Sequence, residues 1–151
     1  MGAAIELDTS ELEKLAEKMN SFMLSGGDTS GLLRDLGMVL EENTKTRIQP
    51  TKLNPAGNKW DPWKESTDRY MKEHFPKASL LWRNPAEGLF NSIESQVNGS
   101  DSVIVGSSKE YAKYLQYGTR KMVAREFLGI GTDDIEELQN TVVEFMRRHV
   151  S

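Results

Sequence analysis

Few residues in this sequence are of the types that carry out catalysis or bind metals. It contains no cysteine and two histidines, His74 and His149, so thiol catalysis and thiolate-bound metals are excluded. The histidines lie far apart along the chain, and neither falls in a segment expected to hold an imidazole rigidly for a Ser-His-Asp set or a zinc site. We therefore predict that the chain is not an enzyme and needs no metal or cofactor.

Two weaker chemical patterns have simple structural explanations. Residues 129–132, Gly-Ile-Gly-Thr, precede a predicted helix but lack the third glycine and the lysine of a phosphate-binding loop, so we interpret them as a turn followed by a helix cap. The adjacent acids Glu41/Glu42 and Glu136/Glu137 diverge on a helix, as on solvated faces, and do not form a glycosidase dyad. A small cytoplasmic hydrolase that uses carboxylates is the enzyme alternative that stays open.

Charge is distributed unevenly over the 151 residues, whose formal net charge is −4. Residues 1–50 hold 9 acids and 5 bases, residues 51–125 hold 8 acids and 12 bases, and residues 126–151 hold 6 acids and 2 bases. A subunit with acidic ends and a basic middle can stack head-to-tail on copies of itself, although ordinary solvated faces give the same counts.

The basic middle block supports a second alternative, a weak nucleic-acid-binding module. The block contains no cluster of five bases and the whole chain is acidic, so specific nucleic-acid binding is not expected. The start of the chain, Met1–Glu6, is neither basic nor apolar, which argues against a signal peptide. No stretch approaches the ~20 apolar residues that span a bilayer, and we expect an intracellular protein without membrane contact.

The length fits one domain, residues 1–151, and its first part, residues 1–49, is predicted to form a helical hairpin. Ala3–Leu7 alternates weakly and is interpreted as a short strand. One helix is then expected between Ser10 and Gly26. A second helix, capped by Asp28, Thr29 or Ser30, is expected to continue until Pro50 stops it.

Residues 50–65 form a predicted extended loop that contains three prolines and two tryptophans. Loops of this length in compact domains are usually functional or disordered. Trp60 and Trp63 have two interpretations: they fold back onto the core of their own domain, or they anchor a neighbouring subunit, where tryptophan is favoured.

Residues 66–151 are predicted to hold a small antiparallel sheet with helices around it. Ser66 is expected to cap a short helix that extends to about Lys72. The β-prone runs Ser92–Val97 and Ser102–Gly106 flank an Asn-Gly pair, which is a strong signal for a hairpin.

Two further helices complete an α+β fold that ends in an amphipathic helix. Lys109–Tyr117 is predicted to be a short helix that ends at Gly118. Thr132 or Asp133 is expected to cap the last helix. The residues predicted to form its buried face recur at helical spacing and are Ile135, Leu138, Val142, Phe145 and Met146.

Three short motifs follow one another in the C-terminal half of the chain. They are VIVGS at 103–107, YAKYLQYGT at 111–119 and AREFLGI at 124–130. In this order they resemble the signature of the phage virion morphogenesis proteins, also called tail completion proteins, of contractile-tailed phages and prophages. Val123 and Glu126 stand where that signature often has prolines.

Further upstream, residues 57–60 and 81–93 resemble the middle section of the same family. The family usually has Thr-Gly before a leucine that here follows Glu87-Gly88. The resemblance therefore extends over about residues 30–150.

The resemblance implies a structural role in virion assembly. Proteins of this family act at the tail end or neck, where they complete or terminate the tail so that it joins the filled head. Related folds form rings, so the resemblance implies a homo-oligomer, with a hexameric ring favoured, that contacts the tail tube or sheath and the neck or connector proteins. It also implies synthesis in the bacterial host cytoplasm and a place in the virion tail or neck.

Eight residues are the candidates for an interaction site. They are Trp60, Trp63, Tyr111, Tyr114, Gly118, Arg125, Phe127 and Leu128. The last six match the family motif, and Arg125 is expected to pair with a carboxylate of the same or a neighbouring subunit. The alternative is that Tyr111, Phe127 and Leu128 are core residues and that Gly118 is a helix cap.

Overall fold

The structure, a computed structural model, describes residues 2–8, 28–81, 88–99 and 102–149. The helix predicted between Ser10 and Gly26 lies outside these residues. The described elements are three strands and five helices, which confirms the predicted α+β class. In chain order they are β1 (Ala3–Asp8), α1 (Ser30–Thr46), α2 (Glu65–His74), α3 (Leu89–Ser92), β2 (Ile93–Asn98), β3 (Ser102–Ser107), α4 (Ala112–Tyr117) and α5 (Thr132–His149).

The three strands form one antiparallel sheet in the order β1-β3-β2. Val105 of β3 is opposite Ile5 of β1 and Ser95 of β2. Gly99, in the turn between β2 and β3, has φ of 69°, a conformation that glycine adopts without a steric penalty. The predicted hairpin is thus present, and the short N-terminal strand pairs with its second arm.

Helix α1 covers one face of the sheet with a row of four buried leucines, Leu32, Leu33, Leu36 and Leu40. Gly37 allows this close approach, because a Cβ atom there would lie 2.7 Å from Val103 Cγ2 and 3.0 Å from Ser95 Cβ. At the start of α1, the backbone N–H of Ser30 donates to Asp28 Oδ1 over 2.9 Å. This hydrogen bond lowers the pKa of the Asp28 carboxyl.

The chain leaves α1 earlier than predicted. The helix ends at Thr46, and a π-helical turn, Arg47–Thr51, follows it. Gln49 within that turn is extended, and its peptide bond to Pro50 is cis. Pro50 therefore lies within the turn, beyond the end of the helix.

Helix α5 packs on α1 through Leu138, Val142 and Phe145, which are all buried. The prediction for the first turn of α5 was wrong at two points. Ile135 is exposed, and Asp134 is buried in its place. Instead of a cap from Thr132 or Asp133, the Asp134 Oδ2 atom accepts the backbone N–H of Gly131 over 2.8 Å.

The close packing of α1 on the sheet generates a stability prediction for its two glycines. Alanine favours a helix over glycine by about 1 kcal/mol, but Gly37→Ala also inserts a methyl group against buried Val103, and overpacking costs about 1–3 kcal/mol. We therefore expect Gly37→Ala to lower the free energy of unfolding in urea. Gly31→Ala is the matched control, because the nearest atom to its added Cβ, Phe145 Cε2, is at an ordinary 3.8 Å. Equal stability of the two variants would contradict the packing described here.

Candidate interaction surface

The segment between α4 and α5, residues 118–131, has no regular secondary structure, yet two of its side chains are fully buried. These are Phe127 and Leu128. A buried backbone without helix or strand partners must find other hydrogen bonds. Gln116 of α4 supplies them: its Oε1 atom accepts the N–H groups of Phe127 and Leu128 over 3.1 and 3.0 Å, and its Nε2 atom donates to the Leu128 carbonyl over 3.0 Å. One side chain thus satisfies three backbone groups.

Trp60 holds the same segment from the side of the long loop. Its side chain is buried in the hydrophobic core, and its Nε1–H donates to the Glu126 carbonyl over 2.6 Å. Trp63, three residues further along, is half-buried. The two tryptophans therefore differ in burial. Of the two interpretations that the sequence allowed, Trp60 follows the one in which it packs into the core of its own domain.

Arg125 joins α4, the long loop and the segment 118–131. Its Nε and Nη2 atoms donate to the carbonyls of Asp61 and Pro62 over 2.8 and 2.9 Å, and its backbone N–H donates to the Leu115 carbonyl over 2.6 Å. Its side chain is 7% exposed. The prediction of a carboxylate partner is not met within the described part of the chain, where the arginine binds carbonyl oxygens. No ion pair of those residues includes this guanidinium.

Gly118 ends α4 and lets the chain fold back. Its φ is 75°, and its N–H donates to the Tyr114 carbonyl over 2.8 Å. A Cβ atom at this position would lie 2.8 Å from the Ala124 nitrogen and 2.9 Å from the Met122 carbonyl oxygen. Only glycine fits this backbone conformation without strain, and the close approach brings Val123 back to the end of α4.

The outer face of α4 carries three exposed tyrosines. Tyr111, Tyr114 and Tyr117 recur every three residues and are 44%, 45% and 70% exposed, and Val123 is 47% exposed. Three exposed bases accompany them, and the Lys113 ammonium lies 5.2 Å from the centre of the Tyr114 ring. We call this surface the tyrosine patch; its members are Tyr111, Lys113, Tyr114, Tyr117, Arg120, Lys121 and Val123.

The eight predicted site residues thus divide between this surface and the interior beneath it. Tyr111 and Tyr114 are on the patch, Gly118 lies at its edge, and Trp63 is half-buried in the loop before α2. The buried group consists of Trp60, Arg125, Phe127 and Leu128. Sequence reasoning missed Gln116, although it lies inside the quoted YAKYLQYGT motif, because its hydrogen-bond partners lie eleven and twelve residues further along the chain and no local pattern indicates them.

A second polar cluster that the sequence did not indicate fixes α5 against α1. Arg47 Nη1 lies 2.8 Å from Asp134 Oδ2, and the two side chains are 12% and 3% exposed. Asn43 donates to Asp134 Oδ1 over 2.7 Å, and Arg47 Nη2 donates to the Gly129 carbonyl over 3.1 Å. Because Asn43 and Arg47 are far from Asp134 along the chain, no local sequence pattern predicts this cluster.

Among the described residues, His74 lies at the surface and the acidic side chains form no metal-binding group. His74 is exposed, its Nδ1 lies 3.0 Å from the Tyr70 carbonyl, and its ring stacks on the Tyr70 ring. Residues 2–8, 28–81, 88–99 and 102–149 contain no group of three or more His, Cys, Asp or Glu side chains placed to hold a metal ion. Within the same residues, no helix is both long enough and apolar enough to cross a membrane.

Comparison with known proteins agrees with the resemblance noted in the sequence. Residues 10–147 match the phage virion morphogenesis family, and the chain belongs to that family. It is 26% identical over 134 residues to the Mu-like prophage FluMu G protein 1 of Haemophilus influenzae, an alignment that covers 89% of this chain and 88% of that protein. No solved structure matches the chain. The family description names a morphogenesis protein and not an enzyme.

The hydrogen bonds of Gln116 generate a prediction for the segment beneath the patch. Gln116→Ala removes the partners of three backbone groups, and each unsatisfied buried group costs about 1–3 kcal/mol. Because these hydrogen bonds are only partly buried, we expect the variant to lower the free energy of unfolding by about 1–3 kcal/mol in urea titrations followed by circular dichroism. Gln96→Ala is the control, because Gln96 is exposed on β2 and should change stability by less than about 0.5 kcal/mol. Equal effects of the two substitutions would contradict the role assigned to Gln116.

Proposed function

We propose that this chain is a structural subunit that completes or terminates a phage tail so that the tail joins the filled head, and that it acts as a ring-forming homo-oligomer. The observation that carries the proposal is the family match over residues 10–147. The alignment with the FluMu G protein covers nearly the full length of both chains, so the comparison involves the whole fold and not one shared motif.

The tyrosine patch supports a role in assembly. Exposed tyrosines in a group are typical of protein–protein contacts, where aromatic and arginine side chains are enriched. The segment beneath the patch is held by Gln116, Trp60 and Arg125, so the patch is presented by a backbone with satisfied hydrogen bonds. Such preorganisation lowers the entropic cost of binding.

The proposed partners are further copies of this chain, with a hexameric ring favoured, together with the tail tube or sheath and the neck or connector proteins. The proposed place is the tail or neck of the virion, after synthesis in the host cytoplasm. The family description, which names a morphogenesis protein, favours this structural role over a carboxylate-dependent hydrolase.

A gene deletion in the parent phage or prophage tests the proposal. We expect negative-stain electron microscopy of induced lysates to show filled heads beside unattached tails, with normal assembly restored by the wild-type gene supplied in trans. Overlong tails would assign the chain as a terminator, and tails of normal length would assign it as a completion factor. Intact infectious particles in the deletion lysate would contradict the proposed function.

A further inference from the structure

The groove between α1 and α5 has a charge opposite to that of the tyrosine patch. The acids Asp35, Glu42, Glu137 and Glu144 line it, together with the apolar residues Met38 and Val39. Among the described residues that line it, Arg148 is the one base, and it lies 3.6 Å from Asp35. Met38 is 49% exposed. We call this surface the acidic groove.

The tyrosine patch carries the matching positive charge. Lys113, Arg120 and Lys121 are exposed on it, and Arg125 lies beneath it with carbonyl oxygens as its partners. No carboxylate of the described residues forms an ion pair with this guanidinium. Two exposed acids, Glu110 and Glu126, lie in the same stretch of chain and leave the balance positive.

We propose that the tyrosine patch of one copy of this chain docks into the acidic groove of a second copy. The proposal rests on the proposed function, since it names the two surfaces through which the ring-forming subunit would associate. Tyrosine rings would cover Met38 and Val39, while the patch bases would face the groove acids. Tyrosine suits such a site because it buries an apolar ring and keeps a hydroxyl that donates hydrogen bonds to carboxylates.

The contact is heterologous, because it joins two different surfaces of the same chain. An open array then keeps one unused patch at one end and one unused groove at the other, and a ring forms when the rotation between copies brings these two ends together. The two surfaces are on different helices, the patch on α4 and the groove on α1 and α5. The sequence showed the same asymmetry as a basic middle block between acidic ends.

Charge reversal tests this pairing directly in the purified full-length protein. We expect sedimentation velocity at low salt to show concentration-dependent self-association that weakens as salt screens the charges. Lys113→Glu with Lys121→Glu makes the patch negative, and Glu42→Lys with Glu144→Lys makes the groove positive. Each pair of substitutions should weaken self-association at least about tenfold, because like charges then face each other.

Combining the two charge reversals distinguishes a direct contact between patch and groove from a general effect of net charge. All four substitutions in one chain should restore self-association, and so should an equimolar mixture of the two double variants. Matched controls reverse exposed charges elsewhere: Lys59→Glu with Lys77→Glu, and Glu65→Lys with Glu73→Lys. Both controls should associate like the wild type.

Three outcomes would overturn the proposal. One is a wild-type chain that stays monomeric at every soluble concentration, and another is a failure of the four-substitution chain to associate again. The third is loss of binding to purified tails by the double variants with self-association unchanged, which would assign the two surfaces to another virion protein. Unattached tails in the deletion lysate would still support the proposed role in completing or terminating the tail, so that role and the proposed pairing of surfaces fail separately.

Discussion

The segment that connects α4 to α5 must bury Phe127 and Leu128 without the hydrogen bonds of a helix or a strand. Irregular backbone enters a protein interior only when side chains replace those hydrogen bonds, because each unpaired group is costly. The Gln116 amide meets this constraint with three hydrogen bonds to residues 127 and 128. Trp60 and Arg125 connect the same segment to the long loop. The Trp60 indole donates to the Glu126 carbonyl, and the Arg125 guanidinium donates to the carbonyls of Asp61 and Pro62.

The residues of α4 that stabilise the fold and the tyrosines proposed for assembly lie on opposite sides of this short helix. The inner side of α4 contributes buried Ala112 and the Gln116 amide to the packed interior. Its outer side carries three tyrosines that contribute little to that interior, because they are between 44% and 70% exposed. Several residues of the family motif are thus structural, and the adjacent exposed residues are available for assembly.

Local patterns predicted most of the described secondary structure. The Asn-Gly turn and its flanking strands are encoded within a short stretch of chain, as is the amphipathic face of α5, and both are present. The amphipathic pattern was incomplete at one point: Ile135 is exposed because the helix turns Asp134 inward to meet Arg47. A hydrophobic pattern cannot anticipate a buried carboxylate whose partner comes from a distant element.

The same limit applies to the candidate site. The tyrosines, Gly118 and Arg125 could be selected from the sequence, but their partners could not. Arg125 was expected to pair with a carboxylate of the same or a neighbouring subunit, and within the described residues it binds two backbone carbonyls of a loop more than sixty residues earlier. Exposure of the tyrosines depends on which side of α4 faces the interior, where Ala112 is buried and Gln116 binds the segment 118–131.

Site-specific cross-linking in assembled particles tests the central claim, that the tyrosine patch of one copy contacts the acidic groove of another. The chain contains no cysteine, so Tyr117→Cys and Met38→Cys each introduce a single reactive thiol. Particles assembled from both variants together should yield a covalent dimer with a short bismaleimide, while Tyr117→Cys combined with Lys77→Cys should not. Absence of the dimer linked between positions 117 and 38 from particles that contain both variants would contradict the account.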